Sequence, residues 1–135
     1  MNHSEVVKKN IKQESSTARK SLISLFIGLC SFITVLIISS FVIMNVSIQA
    51  EYLFIFVLTA SGISAIVCST SVCIQQKHRI LVFSVIISLI LAIIEFLIIL
   101  CFNNVRFSHY VYLLFPIMIL CSFISCIIVL NLKKN

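Results

Sequence analysis

The chain has 135 residues, of which 61% are hydrophobic and only 10% are charged, and its formal net charge is +6. Soluble domains are nearer half apolar and a quarter charged, so this composition excludes an ordinary soluble domain, and the length leaves room for one domain. We therefore expect a single-domain integral membrane protein.

Residues 1–20 form a polar, basic leader in front of the hydrophobic part of the chain. Glu5 and Lys9 have i,i+4 spacing, which favours a short helix, but the leader has too few apolar residues for an amphipathic membrane anchor. The hydroxyl residues at 15–17 predict a break, or an N-cap for the segment that follows. We expect a frayed leader on anionic lipid headgroups. A tail that docks a partner or is phosphorylated is the alternative.

Four hydrophobic blocks follow the leader: they are residues 22–44, 52–74, 80–102 and 108–130. Each has about 23 residues, and a helix of that length is about 34 Å long, enough for a hydrocarbon core of about 30 Å. Every backbone N–H and C=O in lipid must be satisfied within its own segment, which favours helices. The strands of a membrane barrel would be shorter and would alternate polar with apolar residues. The sequence therefore predicts an all-α, four-helix transmembrane bundle within residues 21–131.

Positive charge is distributed unevenly between the two sides of the predicted bundle. With four spans, nine basic residues share one side: Lys8, Lys9, Lys12, Arg19, Lys20, Lys77, Arg79, Lys133 and Lys134. Only Arg106 lies opposite. The positive-inside rule then places both termini in the cytoplasm, and we expect the plasma membrane. Residues 132–135 form a short basic cytoplasmic tail.

Small residues form a stripe along three of the four spans. The stripes are Ser24, Gly28 and Ser31 in the first span, Ser61, Ala65 and Ser69 in the second, and Ser84, Ser88 and Ala92 in the third. Helices in lipid associate where small residues let backbones approach and where hydroxyls bond across. The stripes therefore predict the interior of the bundle. Stripes that face lipid and recruit a partner are the alternative.

Glu95 is an acid deep inside the third span, on the same arc as its small stripe. Counting inward from the ends of the spans places Ser39, Ser61 and Tyr112 at its depth, and His109 shares a face of the fourth span with Tyr112. We expect these five residues to form an intramembrane polar cluster. Three roles fit it: a structural clasp, a proton path, or an acid that pairs with a basic residue of another protein.

Pro116 strengthens the expected link between the fourth span and Glu95. Proline donates no backbone hydrogen bond, so inside a helix it frees the carbonyl four residues earlier, here that of Tyr112. A neutral Glu95 could donate a hydrogen bond to that carbonyl.

Six cysteines all lie inside the spans: Cys30, Cys68, Cys73, Cys101, Cys121 and Cys126. Those within one span are five residues apart, which turns them away from each other on a helix. We expect them to pack as small apolar residues, with palmitoylation of Cys73 and Cys126 near the cytoplasmic surface as an alternative. The sequence has no metal-ligand spacing, phosphate loop or nucleophile motif, and we expect no catalysis, no metal and no cofactor.

These observations favour a protein that works by contact within the lipid bilayer. We expect an accessory subunit, a regulator or an immunity-type protector, bound to a membrane-protein partner or to further copies of itself. The alternative is a small oligomeric proton-linked transporter or channel that uses Glu95. A nucleic-acid partner would need a folded basic surface with aromatic platforms, which the sequence does not predict.

Overall fold

The structure is a computed structural model that describes residues 3–46, 52–75, 79–102 and 112–134. It contains four α-helices: α1 His3–Asn45, α2 Leu53–Gln75, α3 Ile80–Phe102 and α4 Leu114–Lys134. All four are long and apolar enough to cross a membrane. The prediction of an all-helical fold with four long apolar candidate spans is confirmed. The predicted start of the fourth span, residue 108, lies outside the described residues.

α1 is one continuous helix that joins the leader to the first span, so the predicted break at residues 15–17 is wrong. Ser15 Oγ donates to the C=O three residues earlier at 3.1 Å, and Thr17 Oγ1 donates to the C=O four residues earlier at 3.0 Å. Hydroxyls bonded in this way stay inside a helix instead of capping one. Residues 3–20, named the arm below, extend α1 by about 25 Å at 1.5 Å per residue.

α2 lies at the centre of the bundle. It packs against α1, α3 and α4, whereas α1 packs mainly against α2 and makes a smaller contact with α3. Ser24 Oγ lies 3.1 Å from Ser71 Oγ, and Gly28 packs against Cys68. From the first contact to the second, the residue number rises in α1 and falls in α2, so the two helices are antiparallel.

The same reasoning orients the other helices. Ser69 Oγ lies 2.7 Å from Ser84 Oγ, and Ser64 Oγ contacts Glu95 Oε1, so α2 and α3 are antiparallel. Ser69 also donates to the carbonyl of Ser122 on α4 at 2.9 Å. The Thr70 and Ser125 hydroxyls, 2.9 Å apart, follow in the same direction along both chains, so α2 and α4 are parallel.

This arrangement brings four chain segments to one end of the bundle. They are the arm, the C-terminus of α2, the N-terminus of α3 and the C-terminus of α4. The described basic residues of these segments are Lys8, Lys9, Lys12, Arg19 and Lys20 in the arm, Arg79 before α3, and Lys133 and Lys134 at the end of α4. We call this the basic end.

The interior is small and polar, and the exterior is large and apolar. Fully buried side chains are mostly Ser, Ala and Cys, joined by a few large residues such as Phe32, Leu91 and Met118. Exposed side chains include many Ile, Leu and Phe residues, for example Phe41 at 71% exposure. This distribution is typical of helices that pack in lipid, where small residues and polar contacts, and not the hydrophobic effect, hold helices together.

Candidate functional site

The predicted small stripes lie in the interior with one exception. Ser24, Gly28, Ser61, Ala65, Ser69, Ser84, Ser88 and Ala92 are all buried. Ser31 is only half-buried, and the next residue, Phe32, is fully buried in its place. The buried face of α1 thus continues through a large aromatic residue, which a pattern of small residues alone does not reveal.

Glu95 is fully buried and held by α2. Its Oε1 atom lies 2.5 Å from Ser64 Oγ, and Ser64 Oγ also lies 2.8 Å from the carbonyl of Ser61. A serine hydroxyl has one proton and a backbone carbonyl can only accept. The Ser64 hydroxyl can therefore donate to the Glu95 carboxyl or to the Ser61 carbonyl, but to only one of them at a time. The contact joins the acid on α3 to α2.

Two buried polar atoms of α3 have no hydrogen-bond partner among the described residues: Glu95 Oε2 and Ser88 Oγ. Both residues are 0% exposed.

Ser61 belongs to the Glu95 environment, but Ser39 does not. Gly28 on α1 packs against Cys68 on α2. Because the two helices are antiparallel, four residues forward along α1 correspond to four residues back along α2, so Phe32 lies at the depth of Ser64. Ser39 is seven residues further along α1, about 10 Å away along the axis. It is buried, but near another level of the bundle. Counting from span ends misplaces it because the helices do not end at the same depth.

The fourth span does not bring Tyr112 to Glu95. The Tyr112 side chain is 75% exposed. α4 begins at Leu114, so Pro116 stands in its first turn, where backbone N–H groups have no partner within the helix. The expected freed carbonyl inside a helix is therefore wrong. His109 lies outside the described residues, and the proposed path through it stays a prediction.

A cluster of three serine hydroxyls links α2, α3 and α4 closer to the basic end. Ser84 Oγ lies 2.7 Å from Ser69 Oγ and 3.0 Å from Ser122 Oγ. Ser122 was missed from the sequence because α4 carries no obvious small stripe. The spacing of its buried residues Leu114, Met118 and Ser122, four apart, is the signal that would have found it.

Two thiols meet between α2 and α4. Cys73 Sγ and Cys126 Sγ are 2.7 Å apart, both are free, and both side chains are fully buried. The sequence shows cysteine pairs only within a span. This contact depends on the register of two parallel helices and is not visible in the spacing of either one.

A cleft of about 940 Å³ opens at the basic end. It lies between the α1 residues from Asn10 to Ser21 on one side and Gln75 and Phe83 on the other. Hydroxyl, amide and charged groups line it together with the Phe83 ring.

The fold and site define a class, a helical bundle with four candidate membrane spans around an enclosed acid. No protein-family model, curated protein or solved structure matches the chain. Within the part of the chain that the structure describes, no group of three or more His, Cys, Asp or Glu side chains is placed to hold a metal ion.

Proposed function

We propose that this is a multi-pass plasma-membrane protein that acts through protein contacts, as an accessory subunit, regulator or immunity-type protector. The observation that carries the proposal is the arm. It continues α1 without interruption, and its side chains are exposed from Ser4 to Ser16. Short isolated helices are marginal in water, so a rigid exposed helix is best explained as a surface that a partner covers.

The rest of the bundle supports this assignment. Its buried acid and most of its buried hydroxyls bind each other, so the polar chemistry of the interior serves packing. The arm and the cleft at its base leave a polar surface at the basic end for another protein. We assign the protein no catalysis, cofactor or nucleic-acid partner.

A photo-crosslinking amino acid at Ile11, in the arm, tests the proposal in native membranes. Ile11 is 60% exposed, and we expect one discrete protein adduct. Ile37, 65% exposed within the span of α1, is the matched control and should give mainly lipid adducts. An adduct of twice the chain mass would identify a second copy as the partner. Lipid adducts alone at both positions would refute a contact function for the arm.

We further propose that both termini are cytoplasmic. The basic residues gathered at one end of the bundle support this orientation through the positive-inside rule. In a variant without native cysteines, a cysteine introduced at Val46 should react with an impermeant maleimide in intact cells, and one at Lys134 should not. The opposite labelling pattern would invert the orientation.

Glu95 serves in this proposal as a structural clasp between α3 and α2. Glu95→Gln should then be nearly silent, because the amide oxygen can still accept from Ser64 and the amide also offers a donor. Glu95→Leu should lower stability by about 0.6–2 kcal/mol, the usual range for interhelical polar contacts in membranes. Thermal unfolding of both variants in mild detergent measures the difference. A Gln variant as unstable as the Leu variant would contradict the clasp.

The second candidate function is a small oligomeric proton-linked transporter or channel. One observation favours it: Glu95 Oε2 is unpartnered among the described residues, which leaves a carboxyl oxygen for chemistry. Liposomes with a pH gradient provide the test. Proton flux above that of empty liposomes, abolished by Glu95→Gln while the fold stays intact, would establish this function. Absence of flux with the wild-type chain would remove the simple proton carrier.

A further inference from the structure

The basic residues of the arm are concentrated on one of its faces. Lys8, Lys9, Lys12 and Arg19 fall within an arc of about 100°, since successive residues of a helix turn by 100°, and all four side chains are exposed. Glu5 is the one acid of the arm on the same side. We call these five residues the basic face, which carries a net charge of +3.

The basic face points away from the bundle. Asn10, Gln13 and Thr17 line the cleft and therefore turn toward the ends of α2 and α3. Ser24 and Gly28, which contact α2 further along the helix, lie on the same side of α1. The three cleft residues are centred about 120° round the helix from the basic face. The basic face is thus left on the outer side of the arm, open to solvent.

The described part of the chain supplies no counter-charge for this face. None of its four basic side chains forms an ion pair or a hydrogen bond with another described residue. Glu14 lines the cleft, and Glu95 is enclosed in the bundle. Single exposed lysines are ordinary, but here four positive charges lie on one face of a helix that is already formed. A partner would not have to order this helix on binding.

The distance from the apolar span favours a protein partner over lipid headgroups. Lys20 is the last charged residue before the apolar part of α1. Lys12 and Lys8 lie about 12 Å and about 18 Å further out along the helix axis, at 1.5 Å per residue. Charges separated by more than about 8 Å are largely screened at physiological ionic strength. The outer half of the basic face therefore gains little from charged headgroups.

A second copy of the chain does not suit this face either. Copies inserted with the same orientation present their arms on the same side of the membrane and parallel to each other. Lys8, Lys9 and Lys12 of one arm would then lie level with the same residues of the next arm, and like charges at close range repel.

From these observations we propose that the basic face binds an acidic segment of another protein, whose carboxylates lie alongside the arm. This inference rests on the proposed contact function and adds the chemistry of the partner. Electrostatic complementarity of this kind speeds association and selects the correct partner.

Photo-crosslinking from Ile11 in native membranes, with the full chain, measures the contact, because Ile11 is next to Lys12 and three residues from Lys8. The protein adduct should be about tenfold weaker in Lys8→Gln/Lys9→Gln/Lys12→Gln, since three exposed charge pairs of ordinary strength amount to about one order of magnitude. The adduct should also weaken when salt rises from about 0.05 M to about 0.5 M. Mass spectrometry should place the crosslink in a segment of the partner rich in Asp and Glu.

Two further variants serve as controls. Asn10→Ala/Gln13→Ala changes the cleft side of the arm and should leave the adduct as it is. Glu5→Gln removes the one negative charge of the basic face and should increase the adduct. Glutamine and alanine both favour helices, so the arm should stay helical in all variants, which circular dichroism checks.

Other outcomes would overturn the proposal. An unchanged adduct in the triple glutamine variant would refute the acidic partner and leave the contact function standing. Loss of the adduct in the alanine variant alone would place the contact on the cleft side. Adducts with anionic phospholipid, with nuclease-sensitive material or of twice the chain mass would assign the face to lipid, nucleic acid or a second copy. Absence of any protein adduct from the wild-type chain would refute the contact function itself.

Discussion

At Gly28, α1 lies very close to α2. A Cβ atom at Gly28 would lie 2.9 Å from Cys68 Cβ and 3.1 Å from Leu91 Cδ2. Carbon atoms prefer separations of about 3.5–4.0 Å, so Gly28→Ala forces α1 outward by several tenths of an ångström. Cys68 Cβ is fixed by its backbone and cannot rotate away. Overpacking of this kind costs about 1–3 kcal/mol.

Gly62→Ala is the matched control. A Cβ there would lie 3.7 Å from Cys121 Sγ, an ordinary contact. Both glycines are inside helices, so both variants share the gain of about 0.5–1 kcal/mol that alanine has over glycine in a helix. The stability difference between the two variants therefore isolates the clash, and we expect about 1–3 kcal/mol in favour of Gly62→Ala. Thermal unfolding in mild detergent measures it, and equal stability would refute the close approach of α1 to α2.

Two further predictions test the register and the interior. Mild oxidation with iodine, which takes one electron and one proton from each thiol, should form a disulfide between Cys73 and Cys126 of one chain. Peptide mapping should show the two linked peptides in the wild-type chain and not in Cys73→Ser. If the wild-type chain also lacks the linked peptides, α2 and α4 have another register. Ala65→Leu should lower the free energy of unfolding by about 1–3 kcal/mol, because Ala65 is fully buried. Ile63→Leu, at a partly exposed position of the same helix, should be near neutral. Similar stability of the two variants would mean that the small stripe of α2 faces outward.

The four helices could be predicted from the sequence because each is determined by the residues of its own segment. A run of about 20 apolar residues in lipid has few alternatives to a helix, and α3 has the bounds that its hydrophobic run predicts, Ile80–Phe102. The continuity of α1 was harder to foresee. Hydroxyl residues at 15–17 are compatible with a helix cap or with a helix interior. They cap a helix when they accept from backbone N–H groups that follow them, and they lie inside one when they donate to carbonyls of the preceding turn.

The candidate site was predictable only in part, because its geometry depends on register. The periodicity of α3 places Glu95 on the buried face, and the stripe of α2 includes Ser61. The actual partner, Ser64, lies three residues after Ser61 and outside that stripe, and no rule of spacing selects it over its neighbours. Ser39 is an example of what the sequence does not predict. Its burial follows from the face of α1 on which it lies, whereas its depth relative to Glu95 depends on where α1 contacts α2.

Glu95 also shows how membrane insertion and assembly place different demands on one helix. α3 contains eighteen Leu, Ile, Val or Phe residues, each worth about −0.3 to −0.6 kcal/mol on insertion, against about +2.5 to +3.5 kcal/mol for a central acidic residue. The helix therefore inserts with or without the acid, so insertion does not explain the contact with Ser64. That contact belongs to the later step in which inserted helices pack. Glu95→Leu should accordingly leave the amount of inserted protein unchanged and reduce only the stability of the bundle. A variant that inserts poorly would show that the acid acts before the helices assemble.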